Sequence, residues 1–320
     1  MVETKSMNMP KVSVIIPVYG VEKYIERCAR SLFEQTLDDI EYLFIDDCTP
    51  DKSVEILKRV LEEYPHRKSQ VVIHRMEQNS GQAKVREWGM RNARGEYVIH
   101  CDSDDWVETD MYRLMYDEAK RTDADIVMCG YKATDGVRVF NECYHQQTNK
   151  AKLLSSLLIL HESWSVWNKM CKRSLYDSDI VYPTLAMGED MVLTTQMVLN
   201  AQRIAVVNKA LYNYFYNPNS ITKVQSESSR YKHWKDSAEN AKIVFSIFKK
   251  KGLEHEYANE LVYLKFLQKE LAGDLARKKK YSKEWLEMFQ EINWKTFSNP
   301  FIPNSRKLKY FVKLLLAQLL

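Results

Sequence analysis

Hydrophobic and polar residues follow two different periods along the first part of the chain. Short apolar, β-rich runs predict strands at 12–18, 41–45, 71–74, 97–101 and 125–129. The segments between them have helical periodicity and predict helices at 22–35, 53–63, 81–93 and 110–121. Strands and helices that alternate in this way predict an α/β fold. Its mostly parallel central sheet is Rossmann-like, with right-handed crossovers and helices on both faces.

The rest of the chain changes in character. Residues 131–222 are less regular and include an amphipathic run at 152–160 and a strand-like run at 203–207. From Tyr231 onward the chain is rich in Lys, Glu, Leu and Ala and has no strand signal. We therefore expect a leader over 1–10, an α/β domain over 11–222 and a helical C-terminal region over 223–320.

Composition and charge narrow the class of protein. The 320 residues are 45% hydrophobic and 28% charged, which is typical of a globular protein. A net charge of +4 is small for this length, so no nucleic-acid partner is expected. Six cysteines without a CxxC pair predict reduced thiols and a cytoplasmic protein. No apolar run has the length that a membrane-spanning helix needs.

The segment 97–106, YVIHCDSDDW, contains the strongest chemical signal. A predicted buried strand ends in three carboxylates, Asp102, Asp104 and Asp105. Carboxylates that lie so close repel one another unless a cation or hydrogen-bond donors are present, and a divalent metal is the natural candidate. The carboxyl ends of strands are also where open α/β sheets bind ligands. Asp is also common in turns, so a solvated turn without a metal remains an alternative interpretation of this cluster taken alone.

Other nucleotide-binding and hydrolytic motifs are absent from the sequence. Pro17, Val18, Tyr19 and Gly20 stand where a dinucleotide-binding sheet would have GxGxxG. The sequence contains no GxxxxGK[ST], no HExxH and no GxSxG. What remains is a nucleotide-type sheet with acids at its strand ends, where a metal that bridges a diphosphate can replace the glycine-rich loop.

Five motifs in order resemble the inverting glycosyltransferases of family 2, which have the GT-A fold. They are VSVIIPVYG, FIDDCTPDKS, NSGQAKVREWGM, GEYVIHCDSDDW and GED before a helix. The resemblance covers residues 12–222 and implies that the α/β domain is a GT-A glycosyltransferase domain. It also implies a UDP-sugar donor and a Mg²⁺ or Mn²⁺ cofactor.

The resemblance assigns the donor site to residues at the strand ends. Tyr19 matches the aromatic residue that stacks on the nucleotide base, and Pro17 shapes the same turn. Asp47 resembles the acid that accepts a hydrogen bond from uracil, whereas Asp46 beside it is expected to be structural. Arg86 matches the arginine that approaches the nucleotide or its phosphates, although Glu87 stands where the family usually has Asn.

The same resemblance assigns the metal ligands and the base. Asp102, Ser103 and Asp104 form the DxD motif, with Asp104 as the direct metal ligand and Asp102 oriented toward ribose or a metal-bound water. Asp105 is expected to hold the loop. Asp190, in the GED tripeptide, falls at the position of the general base. As a first-turn acid of a helix it also has a purely structural interpretation.

Further residues are candidates for the acceptor side. VWNKM resembles a family segment that lines the acceptor, which implies roles for Trp167, Asn168 and Lys169, and Glu189 is added because it precedes Asp190. Large aromatic residues more often belong to the core, so packing remains an alternative for Trp167. Asn217 stands where the family often has a basic residue, so no phosphate or metal contact is expected from its loop.

The implied reaction is a single displacement that inverts the anomeric carbon. The acceptor is a hydroxyl of a glycan or of a lipid-linked sugar in cell-surface polysaccharide synthesis. Two alternatives stay open: a nucleotidyltransferase that forms nucleotide sugars, and a catalytically inactive subunit that binds them. The first usually has a Gly-rich, basic first loop, which PVYGVEKY does not supply.

The C-terminal tail, SRKLKYFVKLLLAQLL, predicts an amphipathic helix. The bases Arg306, Lys309 and Lys313 can share one face, while Leu308, Val312, Leu315 and Leu319 line another. Such a helix binds anionic lipid, which would make the protein peripheral at the cytoplasmic face of a membrane. A helix that packs on its own domain or on the partner of a homodimer is the equal alternative.

Overall fold

The computed structural model describes residues 9–145, 147–177, 179–217 and 226–319. Most of the predicted leader and the predicted domain boundary at 222 lie outside these residues. The chain divides into two compact units. The first comprises Met1–Lys150, Ser165–Tyr182 and Met197–Asn217, and the second comprises Ala151–Trp164, Pro183–Gln196 and Pro218–Leu320. Two segments from within the predicted α/β domain therefore group with the helical C-terminal region.

The first unit is built on one mixed sheet. Within the described residues its nine strands are β1 (Val12–Val18), β2 (Ile40–Asp46), β3 (Val71–Arg75), β4 (Tyr97–His100), β5 (Trp106–Val107), β6 (Ile126–Thr134), β7 (Val139–Cys143), β8 (Lys169–Lys172) and β9 (Ile204–Phe215). Their order is β3-β2-β1-β4-β8-β6-β9-β5, and β7 pairs with β6. Strands β1 to β4 are parallel, as the alternation of elements predicts. The sheet as a whole is mixed, because β8 runs antiparallel between β4 and β6.

Four helices cover the two faces of the parallel strands. They are α1 (Ile25–Phe33), α2 (Ser53–Glu62), α3 (Gln82–Asn92) and α4 (Met111–Thr122). Val14 and Ile16 of β1 share a hydrophobic core with residues of α1, α2 and α4. Ile15 points to the other face and contacts α3, where a Cβ on Gly89 would lie 2.5 Å from the Ile15 side chain. A side chain at position 89 would therefore push α3 away from the sheet.

The second unit is helical. It contains most of α5 (Lys150–Leu158) and α6 (Glu189–Asn200), followed by α7 (Glu227–Lys250), α8 (Ala258–Leu271), α9 (Lys279–Glu287), α10 (Lys295–Ser298) and α11 (Asn304–Gln318). Trp234, Phe266, Trp285 and Tyr310 are fully buried in it. So is Lys269, whose Nζ donates to the carbonyls of Trp285 and Met288 at 2.7 and 2.6 Å, where α9 ends. These bonds satisfy carbonyls that a helix end leaves without partners.

Two sequence-based expectations concern the whole chain. All six cysteines are free thiols, in agreement with the absence of a disulfide pattern. In the described part of the chain, no helix combines the length and the apolar character that a bilayer crossing requires.

Candidate active site

Three neighbouring strands deliver the predicted donor-site residues to one edge of the sheet. β1 lies between β2 and β4 and is parallel to both, with Val18 opposite Asp46 and Ile15 opposite His100. Tyr19, Asp47 and Asp102 follow the carboxyl ends of these strands. The topology thus places at one edge side chains that lie far apart in sequence, where open α/β sheets bind their ligands.

The turn after β1 presents an aromatic ring to solvent. Tyr19 is 48% exposed, although it directly follows a strand in which every residue but Pro17 is buried. The following Gly20 has φ of +67°, a conformation that favours glycine, and its N–H donates to Thr49 Oγ1 at 2.9 Å. Pro17 lies in register with Ile45 and completes β1. The turn is therefore fixed by its backbone, while the Tyr19 ring remains accessible to a ligand.

The two acids at the end of β2 have different partners. Asp46 accepts from the Thr49 N–H at 2.7 Å and pairs with Arg75, so its contacts are structural. Asp47 is 4% exposed and accepts from the backbone N–H groups of Ser80 and Gly81 at 2.7 and 2.8 Å. It thereby ties the end of β2 to the start of α3. Each carboxylate oxygen has two acceptor sites, so both oxygens retain capacity for a further donor.

Arg86 and Asp102 form a partly buried ion pair at the same edge. Arg86 of α3 is 2% exposed, and its Nη2 lies 2.7 Å from Asp102 Oδ1. Gln82, one turn earlier on α3, approaches the same oxygen at 3.4 Å. His100 lies behind them in β4, and burial together with the charge of Arg86 lowers its pKa well below the usual value. A neutral His100 leaves the positive charge of Arg86 directed at Asp102.

Asp105 is held entirely by the protein. It is 1% exposed and accepts from the Tyr212 hydroxyl at 2.6 Å and from the Phe215 N–H at 2.7 Å. Tyr212 also accepts from the Asp102 N–H at 3.1 Å, so one side chain of β9 fixes both ends of the acidic loop. Burial raises the pKa of Asp105 well above its usual value, and the charges of Asp104 and Asp102 add to the rise. The geometry gives Asp105 the loop-holding role that the sequence suggests.

Asp104 combines a partly buried carboxylate with a firmly held backbone. Arg27 of α1 donates to the Asp104 carbonyl at 2.9 Å while its guanidinium lies over the Trp106 ring, 3.8 Å from the centroid. The carboxylate accepts from Asn217 Nδ2 at 3.2 Å. Burial raises the pKa of Asp104, and the charge of Asp102 raises it further. Asp104 is therefore an acid whose negative charge a cation would stabilise.

Sequence reasoning missed two of these contacts. The segment around Asn217 was considered only for phosphate or metal contacts, and its hydrogen bond to Asp104 was not foreseen. Arg27 carried no sequence signal beyond its place in a helix. Basic residues are common on amphipathic helices, so the sequence does not distinguish Arg27 from them. The structure shows that Arg27 contacts the acidic loop.

The three predicted acceptor-side residues from 167 to 169 are buried in the first unit. Trp167 stacks on Tyr212, with ring centroids 4.2 Å apart and planes 15° apart, and it belongs to the hydrophobic core. Asn168 is 0% exposed, donates to the Cys129 carbonyl at 3.3 Å and accepts from Lys169 Nζ at 3.1 Å. These contacts account for all three side chains as structural elements, and their acceptor role stays a prediction.

The GED motif belongs to the second unit, where it begins α6. Gly188 has φ of +83°, and a Cβ there would lie 3.5 Å from Ser237 Oγ of α7. Glu189 is 7% exposed, and Asp190 is partly buried with its Oδ1 accepting from the Met191 N–H at 2.8 Å. Asn240 of α7 donates through Nδ2 to the carbonyls of Leu185 and Met187 at 3.0 and 2.8 Å. α7 thus fixes the turn from which Asp190 projects.

The donor set at the strand ends fits a hard divalent cation. Asp102 and Asp104 offer carboxylate oxygens, which Mg²⁺ and Mn²⁺ prefer, and no thiol or imidazole competes within the DxD motif. The described residues contain no group of three or more acidic, histidine or cysteine side chains arranged as a metal site. Two carboxylates are nevertheless sufficient for Mg²⁺, because it usually completes its shell with water and substrate phosphates.

The strand-end acids on a mixed α/β sheet are the arrangement that the resemblance to GT-A glycosyltransferases implies. Comparison with known sequences makes the assignment specific. The chain belongs to glycosyl transferase family 2, whose model matches residues 13–184. The family, the fold class and the enzyme class predicted from the motifs are thereby confirmed.

Individual relatives cover different shares of the chain. An uncharacterized glycosyltransferase of Bacillus subtilis, EpsJ, is 33% identical over 247 residues, which are 74% of this chain and 70% of that protein. The poly(ribitol-phosphate) beta-N-acetylglucosaminyltransferase TarS of Staphylococcus aureus is 29% identical over 64% of this chain, but the match is 35% of TarS. Glycosyltransferase GlyA of Streptococcus pneumoniae is matched over 32% of its length. The chain therefore spans about a third of these two larger relatives.

Solved structures agree on the fold. The crystal structure of S. aureus TarS 1–349 in complex with UDP-GlcNAc has a TM-score of 0.70 and 21% identity, covering 88% of this chain and 80% of that chain. A mannosyltransferase of Pyrobaculum calidifontis in complex with GDP-Man and Mn²⁺ has a TM-score of 0.57 and 15% identity. These likenesses concern the GT-A fold.

Proposed function

We propose that the protein transfers a sugar from a UDP-sugar to a hydroxyl of a glycan or lipid-linked acceptor, with a divalent metal and with inversion. The observation that carries the proposal is the convergence of Tyr19, Asp47 and Asp102 at adjoining strand ends, where Arg86 of α3 pairs with Asp102. The names of the relatives support it, since TarS is a transferase of N-acetylglucosamine and has been solved with UDP-GlcNAc. The product would belong to a cell-surface polysaccharide.

The donor nucleotide would lie against the edge formed by β1, β2 and β4. The exposed ring of Tyr19 would stack on the base, because every base offers a flat π-face. Asp47 has acceptor capacity for the uracil N–H in addition to its two backbone donors. Arg86, held against Asp102, would contribute positive charge toward the phosphates.

The metal would be held by Asp104, with Asp102 toward the ribose or a metal-bound water. Support comes from the raised pKa of Asp104, which burial and the charge of Asp102 produce and which a cation would reverse. When bound, Mg²⁺ or Mn²⁺ would neutralise the charge of the departing diphosphate. Asp105 and Tyr212 would keep the loop in place for this role.

Asp190 would act as the general base. In a single displacement the acceptor hydroxyl forms a bond to the anomeric carbon as the bond to the diphosphate breaks, and the hydroxyl proton goes to a carboxylate. Asp190 begins a helix and is oriented by a hydrogen bond from its neighbour Met191. Glu189 would lie on the acceptor side. Because the sugar bonds directly to the acceptor, no covalent enzyme intermediate is needed.

The location proposed for this reaction is the cytoplasmic face of a membrane. Nucleotide sugars are polar, whereas a lipid-linked acceptor is anchored in a bilayer, so a peripheral enzyme can reach both. The exposed apolar residues of α11, among them Leu308 at 65% exposure, support this placement.

Two carboxylate variants and one control test the proposal. A thermal-shift panel of nucleotide sugars with and without Mn²⁺ identifies the donor, because a ligand that binds the native state raises its melting temperature. Asp190→Asn should then abolish turnover while leaving the donor-induced shift intact. Asp104→Asn should abolish turnover and also remove the Mn²⁺-dependent part of the shift.

The control is Asp117→Asn, which makes the same change on a carboxylate that is 62% exposed. It should leave the shift and the turnover unchanged. Full activity in either active-site variant would contradict the proposal. Donor binding by the unmodified chain without any turnover would favour an inactive nucleotide-sugar-binding subunit.

A further inference from the structure

The helix α11 has two apolar faces, and only one of them is covered by the second unit. Tyr310, Leu314 and Ala317 are buried, and the Tyr310 hydroxyl donates to Asn293 Oδ1 at 2.8 Å. A second set of apolar side chains is exposed, with exposed fractions from 39% to 83%. The set consists of Leu308, Phe311, Val312, Leu315, Leu316 and Leu319. The helix therefore packs on its own unit and still presents a continuous apolar stripe to the outside.

The exposed stripe is wide and extends beyond the helix. At 3.6 residues per turn its members cover an arc of about 140° of the helix surface. Phe311 contacts Phe297, with ring centroids 6.0 Å apart, and Phe297 contacts Trp294 at 6.0 Å. Trp294 is 75% exposed, so most of this large apolar side chain faces the outside. We call Trp294, the five exposed apolar residues of α11 and Leu319, which follows the helix, the apolar face.

The charges around the apolar face are positive. Lys307 and Lys309 flank the stripe on its two sides at 3.6 residues per turn, and Lys295 follows Trp294. α11 contains no aspartate or glutamate. Arg306, which the sequence grouped with the surface bases, instead pairs with Glu270 and lies 4.9 Å from the centroid of the Phe266 ring. The lysines beside the stripe are thus the basic residues available to a partner.

We propose that the apolar face docks on a membrane surface that contains anionic lipids, with α11 lying parallel to the membrane plane. A wide apolar stripe flanked by lysines, with a tryptophan at its edge, is the pattern of helices that insert into the headgroup region. Anionic headgroups complement Lys307 and Lys309, and each lysine near the surface adds electrostatic attraction. This inference rests on the membrane location proposed above and specifies the surface responsible, and vesicle binding tests it separately from sugar transfer.

A second copy of the chain fits the apolar face less well. A twofold interface brings the same surface of both copies together, so each copy would contribute the two lysines beside its stripe to one interface. No acidic residue of α11 is present to compensate them. Like charges at an interface oppose association, whereas an anionic lipid surface satisfies the same lysines.

The test is flotation of the full chain with vesicles of phosphatidylcholine alone or with 30% phosphatidylglycerol. We expect at least tenfold stronger binding to the anionic vesicles, and a loss of at least tenfold in the variant Val312→Glu with Leu315→Glu. Val137→Glu with Leu271→Glu is the matched control, because it replaces exposed apolar residues elsewhere, at 91% and 56% exposure, and should bind as the unmodified chain does. Lys307→Gln with Lys309→Gln should lose the preference for anionic lipid.

Three results would overturn the inference. They are equal binding by the glutamate variant and the unmodified chain, equal binding to both kinds of vesicle, and a dimer in sedimentation equilibrium that the glutamate variant dissociates. The last result would assign the apolar face to a second copy. Circular dichroism checks that each variant keeps its helix content, which the exposure of the replaced side chains leads us to expect.

Discussion

Replacing Asn240 by aspartate tests whether a single buried amide positions the proposed base. Asn240 is 1% exposed, and its Nδ2 donates to the carbonyls of Leu185 and Met187 in the turn before Asp190. Aspartate has the same size but no N–H, so both hydrogen bonds are lost. At about 1 kcal/mol for each bond the turn loses about 2 kcal/mol of support, which is a lower bound because the new carboxylate is buried and faces the two carbonyls. A loss of about 2 kcal/mol changes an equilibrium by a factor of about 30.

The expected result is a fall in kcat of at least about tenfold, because the general base is correctly placed in a smaller share of molecules. The KM for the nucleotide sugar should change little, since the proposed donor residues belong to the first unit. Release of UDP at saturating donor and acceptor measures kcat. The matched control is Asn299→Asp, another asparagine that is 1% exposed and donates to a backbone carbonyl, that of Asn259 at 2.7 Å.

The control loses one donated hydrogen bond in place of two, so it should lower the melting temperature by about half as much. It should leave kcat within about twofold, because Asn299 lies in another part of the helical unit. Asn240→Asp should also have no further effect on the residual rate of Asp190→Asn, since residues that act as a unit are not additive. The reasoning fails if Asn240→Asp retains kcat, if Asn299→Asp lowers it equally, or if the two losses add.

Three further changes test other parts of the structure. Burial lowers the pKa of Lys269 to about 7. The pKa of lysine in the unfolded chain is about 10.4. Between pH 7 and pH 9 the native state therefore binds fewer protons than the unfolded state, and stability rises with pH. In urea unfolding, the stability of the unmodified chain relative to Lys269→Met should increase by about 2 kcal/mol over this range. A constant difference would contradict a lowered pKa. Tyr212→Phe removes a donor from buried Asp105 and should cost about 1–3 kcal/mol in the same assay, whereas no loss would argue against the bond. Tyr19→Ala should weaken donor binding in calorimetry by about 1–3 kcal/mol, and Tyr19→Phe should not; equal affinities would exclude stacking.

The parallel half of the sheet could be predicted from sequence because β1, β2 and β4 are buried along almost their whole length. Such strands appear as continuous apolar runs between amphipathic helices, as in β1 and β2. β8 could not be predicted in this way. Its four residues, KMCK, include two lysines, and its place between β4 and β6 depends on pairing with segments far away in the sequence. The mixed character of the sheet is therefore a tertiary property.

The candidate site shows the same division. The acids and Arg86 belong to sequence motifs, so their residue types and their order along the chain predict them as site residues. Their partners do not: Tyr212 lies 107 residues after Asp105, and Asn217 lies 113 residues after Asp104. The burial of Asn168 could not be predicted either. A polar residue next to a tryptophan is compatible both with a ligand-binding surface and with a core position where its hydrogen bonds are satisfied. A single sequence contains no signal for contacts of this range.

The acidic loop shows why neighbouring residues of one type take different roles. Asp102 has a cationic partner in Arg86, and Asp105 has two donors from β9. The hydrogen bond from the Asn217 amide to Asp104 is longer than these, at 3.2 Å, and its donor is neutral. Burial and repulsion raise the pKa of both Asp104 and Asp105, so the loop as a whole holds more negative charge than the protein compensates. A divalent cation bound at Asp104 would reduce the repulsion at both acids. It would bind at Asp104 because the Asp105 carboxylate is buried against Tyr212. Burial separates Asp105 and the ion pair with Arg86 separates Asp102, so Asp104 remains our proposed metal ligand.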